Sequence, residues 1–96
     1  MHILLVLNLP PALEEDLVDY LLSLDCVGGF TSYAVQGHGE HENLSIAEQV
    51  SGRRKRVQFE MLIEQAHYEQ IIGQLTAKVG KDILYWQMPI ANIGRT

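Results

Sequence analysis

The stretches Gly29-Phe30-Thr31-Ser32-Tyr33-Ala34-Val35-Gln36-Gly37-His38-Gly39 and Arg54-Lys55-Arg56-Val57-Gln58-Phe59-Glu60-Met61-Leu62-Ile63-Glu64 flank a polar segment, and their reading decides the fold. In the second, Val57, Phe59, Met61 and Ile63 alternate with Gln58, Glu60 and Glu64, the period-2 pattern of a strand with one wet face. In the first, residues 30–36 are rich in β-formers and read as a strand too. Long structureless loops are uncommon in small domains, and those that persist bind something or are disordered. Residues 37–56 are therefore expected to form a functional loop.

Working outward, residues 2–9 (HILLVLNL) are apolar on both alternating sets, which reads as a central strand buried on two sides. Pro10 and Pro11 end it, and Pro11 suits the first turn of a helix. Leu13, Leu17, Leu21 and Leu24 then recur near helical spacing, widened by Val18 and Leu22. Glu14, Glu15 and Asp16 complement the helix dipole, and Gly28-Gly29 stops the element. Further on, Tyr68, Ile71, Ile72, Leu75 and Val79 predict one second helix ending near Gly80. Residues 83–88 predict a last strand that Pro89 confines to an edge or an end.

This order predicts an α+β, ferredoxin-like βαββαβ fold in a single domain over residues 1–96. Its four-stranded antiparallel sheet carries two helices on one face and a long loop between strands two and three. Leu4 and Val6, or the opposite set of the first strand, are left on the uncovered face. An apolar sheet face of that size is expected to be buried against other subunits.

Composition bounds the function classes. The 96 residues are 47% apolar and 20% charged, a globular balance for one domain. A net charge of −5 argues against nucleic-acid binding, although four of the seven cations gather at Arg53, Arg54, Lys55 and Arg56. Cys26 is the one cysteine, so no intrachain disulfide or Cys-x-x-Cys site forms. No signal-peptide pattern opens the chain, and no apolar run reaches the ~20 residues that span a bilayer. A cytoplasmic protein without direct membrane insertion is expected. No nucleophile paired with His, P-loop or regularly spaced carboxylate pair is recognisable, so an enzyme is not expected.

Gly29, Phe30, Thr31, Val35, Gly37 and Gly39 fall at the spacing found in the second strand of the PII signal-transduction proteins, at the mouth of their long T-loop. The chain resembles that family over nearly its whole length, because the element order is the same. The resemblance implies a homotrimer with sheets facing inward and small-effector sensing in clefts between subunits. It also implies a T-loop, here residues 37–56, that contacts transporters or enzymes. Two departures mark a divergent branch. Glu40 and His41 stand where the family places Arg-Gln against nucleotide phosphates, and Thr76 and Gly80 are what remains of its second nucleotide loop. Such branches include proteins associated with heavy-metal efflux, which brings metal forward as an effector.

Each candidate site has a second reading. His38, Glu40 and His41 offer imidazole and carboxylate ligands for Zn²⁺, Cu²⁺, Ni²⁺ or Co²⁺, completed by neighbouring subunits, or are simply the solvated start of a loop. The cations at 53–56 grip an anionic effector, answer an acidic patch on a partner, or act as charged gatekeepers beside an apolar strand. The adenine-nucleotide version combines Arg54 with Thr31, Gly37, Gly39 and Lys81. Leu44, Ile46 and Val50 present a small apolar face that docks a partner protein or folds back onto its own assembly. His2 and His67 read as a strand end and a helix surface, Tyr85 and Trp86 as packing.

The expected function is that of a PII-like regulatory protein. It senses a divalent transition metal or an adenine nucleotide and controls a membrane transporter, in metal efflux, through the 37–56 loop. The rival is a metal-binding carrier or buffer with no signalling role. A sensor's loop shifts its population when effector binds and meets a target; a carrier's does not.

Overall fold

The computed structural model describes residues 1–39 and 53–96. Strands β1 (His2–Leu9), β2 (Thr31–His38), β3 (Arg53–Glu64) and β4 (Leu84–Pro89) form one antiparallel sheet in the order β2-β3-β1-β4. The two-sided apolar strand β1 is central, and Pro89 closes an edge strand where its missing N–H costs no ladder bond. A 3-10 turn (Pro11–Leu13) leads into α1 (Glu14–Leu22). After β3, a second such turn (Gln65–His67) leads into α2 (Tyr68–Ile72) and α3 (Leu75–Lys78). The ferredoxin-like βαββαβ arrangement is the one the element order predicts.

The core follows from the two alternating strands. Ile3, Leu5, Leu7 and Leu9 of β1 stand opposite Ile63, Met61, Phe59 and Val57 of β3, and all eight are buried. Leu17 and Leu21 of α1, with Ile71 and Leu75, cover that layer. The Phe30 and Phe59 rings lie 5.7 Å apart at its edge.

Two expectations need correction. The single second helix over residues 68–79 is two short helices. Gly73 ends α2 with its N–H on the Glu69 carbonyl at 2.9 Å, and a Cβ there would lie 2.8 Å from that same oxygen. Carbonyls at a helix end lack intrahelical partners. The Ile71 carbonyl instead accepts the buried Tyr20 hydroxyl of α1 at 2.7 Å. Burial, and secondarily Cys26, pushes the Tyr20 phenol above its ordinary range.

The second correction concerns the boundaries of the 37–56 loop. Gly37 pairs with Arg54 and His38 with Arg53, so residues 37–38 and 53–56 are strand. The charge run stays in the sheet because Arg54 and Arg56 are buried on polar partners. Segment 40–52 lies outside the described residues.

The sheet face away from the helices is covered by none of them, although Val6 on it is only 1% exposed. Leu4 stands between Leu62 and Met88, and Val6 between Glu60 and Trp86. Leu62, Met88 and Leu84 remain 46%, 43% and 57% exposed, so the apolar surface expected there is present. Among the described residues, no helix is long and apolar enough to cross a membrane.

Candidate functional site

Period-2 alternation along β3 puts Arg54, Arg56, Gln58 and Glu60 on the uncovered face, opposite Gly37, Val35, Tyr33 and Thr31 of β2. These polar side chains join into one line. Tyr33 donates its hydroxyl to Glu60, and Gln58 Nε2 donates to the Tyr33 oxygen at 2.9 Å. Asn8 Nδ2 donates to Gln58 Oε1 at 3.1 Å, and Arg56 Nε donates to Asn8 Oδ1 at 2.6 Å. The hydrogen bond to Glu60 comes first in raising the Tyr33 phenol above its usual range.

The line ends in a clasp at the foot of segment 40–52. Arg56 donates from Nη1 to Asp82 Oδ2 at 3.0 Å and from Nη2 to the Asp82 carbonyl at 2.9 Å. Arg54 forms an ion pair with the same Asp82 oxygen. Both arginine side chains are about nine-tenths buried, at 10% and 6% exposure, whereas Asp82 is 41% exposed on its turn. Asp82 has φ 66°, a left-handed conformation that Asp tolerates better than most residues. Two guanidiniums on its side chain, one of them also on its carbonyl, hold it there. Every buried side-chain nitrogen or oxygen among the described residues has a partner, as a stable polar cluster requires.

Of the nucleotide-type residues, Gly37 and Arg54 are register partners, Gly39 follows β2 directly, and Lys81 precedes the Asp82 that Arg54 grips. Thr31 is not with them. It sits six residues down β2 from Gly37, about 20 Å at roughly 3.3 Å per residue. There it lines an open hollow with Leu4, Phe30, Glu60, Leu62 and Arg95.

His38 is exposed at the end of β2, opposite Arg53 in register. The other proposed metal ligands, Glu40 and His41, and the partner-docking residues Leu44, Ile46 and Val50, lie outside the described residues. Among the described residues, no three His, Cys, Asp or Glu side chains are grouped to hold a metal ion. His2 bonds Glu64 through Nε2 at 3.1 Å, so that strand-end histidine has a local partner. Tyr85 packs edge-on against Tyr68, with ring centroids 6.5 Å apart.

Sequence reasoning missed Asn8, Tyr33, Gln58, Glu60 and Asp82. The alternation of β3 signalled that Gln58 and Glu60 share a face with Arg54 and Arg56. Nothing local signals Asp82, which meets Arg56 from 26 positions away.

The strand order and the helices packed on one sheet face define a protein of ferredoxin-like fold. The chain belongs to the DUF3240 family, described as proteins of unknown function, whose profile matches residues 1–96. A crystal structure of a DUF3240 family protein from Shewanella baltica OS155 is similar, with a TM-score of 0.81 and 25% identity over 99% of this chain and 96% of that one. The periplasmic divalent cation tolerance protein CutA from Archaeoglobus fulgidus shares the fold, with a TM-score of 0.76 and 10% identity over 99% of this chain and 89% of that one. No curated protein sequence matches the chain.

Proposed function

We propose that the chain is a PII-like, effector-sensing regulatory protein of the cytoplasm rather than an enzyme. It assembles as a homotrimer through the uncovered sheet face, and it controls a partner, a membrane transporter in metal efflux, through residues 37–56. The observation that supports this best is the pairing of Gly37 with Arg54 beside Asp82 and Lys81. A ligand held there touches both stems of segment 40–52 and the turn before β4 at once. Occupancy can then bias how the segment is presented to a target.

The exposed Leu62, Leu84 and Met88 support assembly, because an apolar surface of this kind marks a contact site. Metal remains a candidate effector beside an adenine nucleotide. His38 stands at the mouth of the segment that carries Glu40 and His41, and the divalent cation tolerance protein CutA ties a like fold to divalent cations.

Thermal unfolding against adenine nucleotides and against Zn²⁺, Ni²⁺, Co²⁺ and Cu²⁺ tests the reading. Ligand at 100 times its dissociation constant adds about 2.7 kcal/mol. For a chain of this size the midpoint rises by roughly 10–20 °C. A nucleotide response lost in Arg54→Gln, or a metal response lost in His38→Ala, supports effector sensing. A metal response that leaves capture of a transporter unchanged supports the carrier instead. Silence across the whole panel removes both.

A further inference from the structure

We infer that Arg54 and Arg56 form a phosphate-binding site which Asp82 occupies in the ligand-free protein, so that an effector binds by displacing the Asp82 carboxylate with a phosphoryl group. This rests on the effector reading above and adds how the site is regulated and what it selects.

Arg56 is placed independently of Asp82. Arg56 donates to the Asn8 side chain at 2.6 Å and to the Asn8 carbonyl at 2.7 Å, so its guanidinium keeps its position when the carboxylate leaves. Both arginines point from one strand face onto a single carboxylate oxygen, which marks where a ligand oxygen sits. Gly37 stands opposite Arg54, and a Cβ there would lie 3.8 Å from Arg54 Cβ and 3.9 Å from Arg56 Cγ. Glycine at this position therefore adds no side chain against the pair.

Asp82, by contrast, is replaceable. It is part exposed, lies on a turn, and has a left-handed backbone held by the arginines themselves. Letting go relaxes that backbone and unties the turn before β4, which links occupancy to the edge of the sheet.

The competition also sets the ligand class. A tethered carboxylate has an effective concentration on the order of millimolar or more. A free monocarboxylate offers the same contacts and loses to it. A phosphoryl group brings more charge and three acceptor oxygens, enough to engage both guanidinium forks.

Titration calorimetry of the full chain with inorganic pyrophosphate and with ATP tests this, comparing wild type with Asp82→Asn and with the charge control Asp25→Asn. Asparagine keeps the tolerance for a left-handed backbone, and Asp82→Gly serves if the first variant folds poorly. Removing a competitor that closes most of the sites tightens apparent binding by about 10- to 100-fold. That gain is expected for Asp82→Asn, is absent in Asp25→Asn, and is abolished by adding Arg54→Gln; acetate binds none of them. Equal affinity in wild type and Asp82→Asn overturns the role of Asp82 and leaves the effector reading standing. No binding of either phosphate ligand by any variant overturns the site, and the metal arm of the thermal panel then decides the effector reading by itself. Acetate matching pyrophosphate in Asp82→Asn overturns the phosphoryl selectivity.

Discussion

Arg56 and Asn8 are joined twice, Nε to the side-chain oxygen at 2.6 Å and Nη2 to the backbone carbonyl at 2.7 Å. One guanidinium thereby ties β3 to the end of β1, while it also holds Asp82 ahead of β4. Two strands and the segment leading into β4 meet at that side chain, and it is buried. Replacing Arg56 with Ala leaves the Asn8 and Asp82 acceptors without it. The expected cost is about 1–3 kcal/mol, read from urea unfolding midpoints. Lys in its place, lacking the fork, recovers less than half of that loss.

Tyr20→Phe isolates one hydroxyl. The ring stays in the core, and the bond to the Ile71 carbonyl at 2.7 Å is lost with the longer one to the Gln70 carbonyl at 3.4 Å. An expected loss of about 1–2 kcal/mol lowers the thermal midpoint by roughly 5–15 °C. A shift within error would show that the carbonyl finds another donor.

Gly80 has φ +153°, and a Cβ on it would meet two methyls of Leu13 at 3.1 Å. Gly80→Ala combines backbone strain with that crowding, at about 1–3 kcal/mol. Leu13→Ala relieves the steric part alone, so in a double-mutant cycle the two changes are expected to be non-additive.

The Glu64 carboxyl is held below the ordinary carboxylate range, first by a hydrogen bond from the Met1 ammonium and then by the charges of His2 and His67. A depressed folded value stabilises above the unfolded one, about pH 4.3, and the benefit is lost as pH falls through the folded value. NMR titration should place Glu64 below the unperturbed midpoint. Acetylating the Met1 amine should move it back up, and Glu64→Gln should remove its share of the acid sensitivity.

Leu62 lies on the uncovered face at 46% exposure. In a monomer, Leu62→Glu is a surface change worth within about 0.5 kcal/mol. In a trimer packed through that face it buries a charge and splits the assembly. Sedimentation velocity separates the cases: wild type as a trimer with Leu62→Glu as a monomer supports the interface, and a monomeric wild type removes it.

The strands were legible because alternation is a local signal. Val57, Phe59, Met61 and Ile63 name one face of β3 without reference to the rest of the chain, and residues 2–9 name β1 as central. The second helix was only partly legible. Its apolar spacing runs through Gly73, and the break shows itself once Tyr20 reaches across to take the Ile71 carbonyl. Half of the candidate site was readable in the same way, since Arg54, Arg56, Gln58 and Glu60 alternate onto one face.

By itself, the order of residues determined the ferredoxin-like fold, the apolar character of both faces of β1 and the cluster of cations at 53–56. Each of those rests on contacts between near neighbours or on a repeating period. The tertiary structure alone decided that the cations are strand rather than loop, that Thr31 stands apart from Arg54, and that Asp82 closes the arginine pair. Those depend on how β2 registers against β3 and on where the turn before β4 comes to rest. Pairings between distant segments leave no period in the sequence to read.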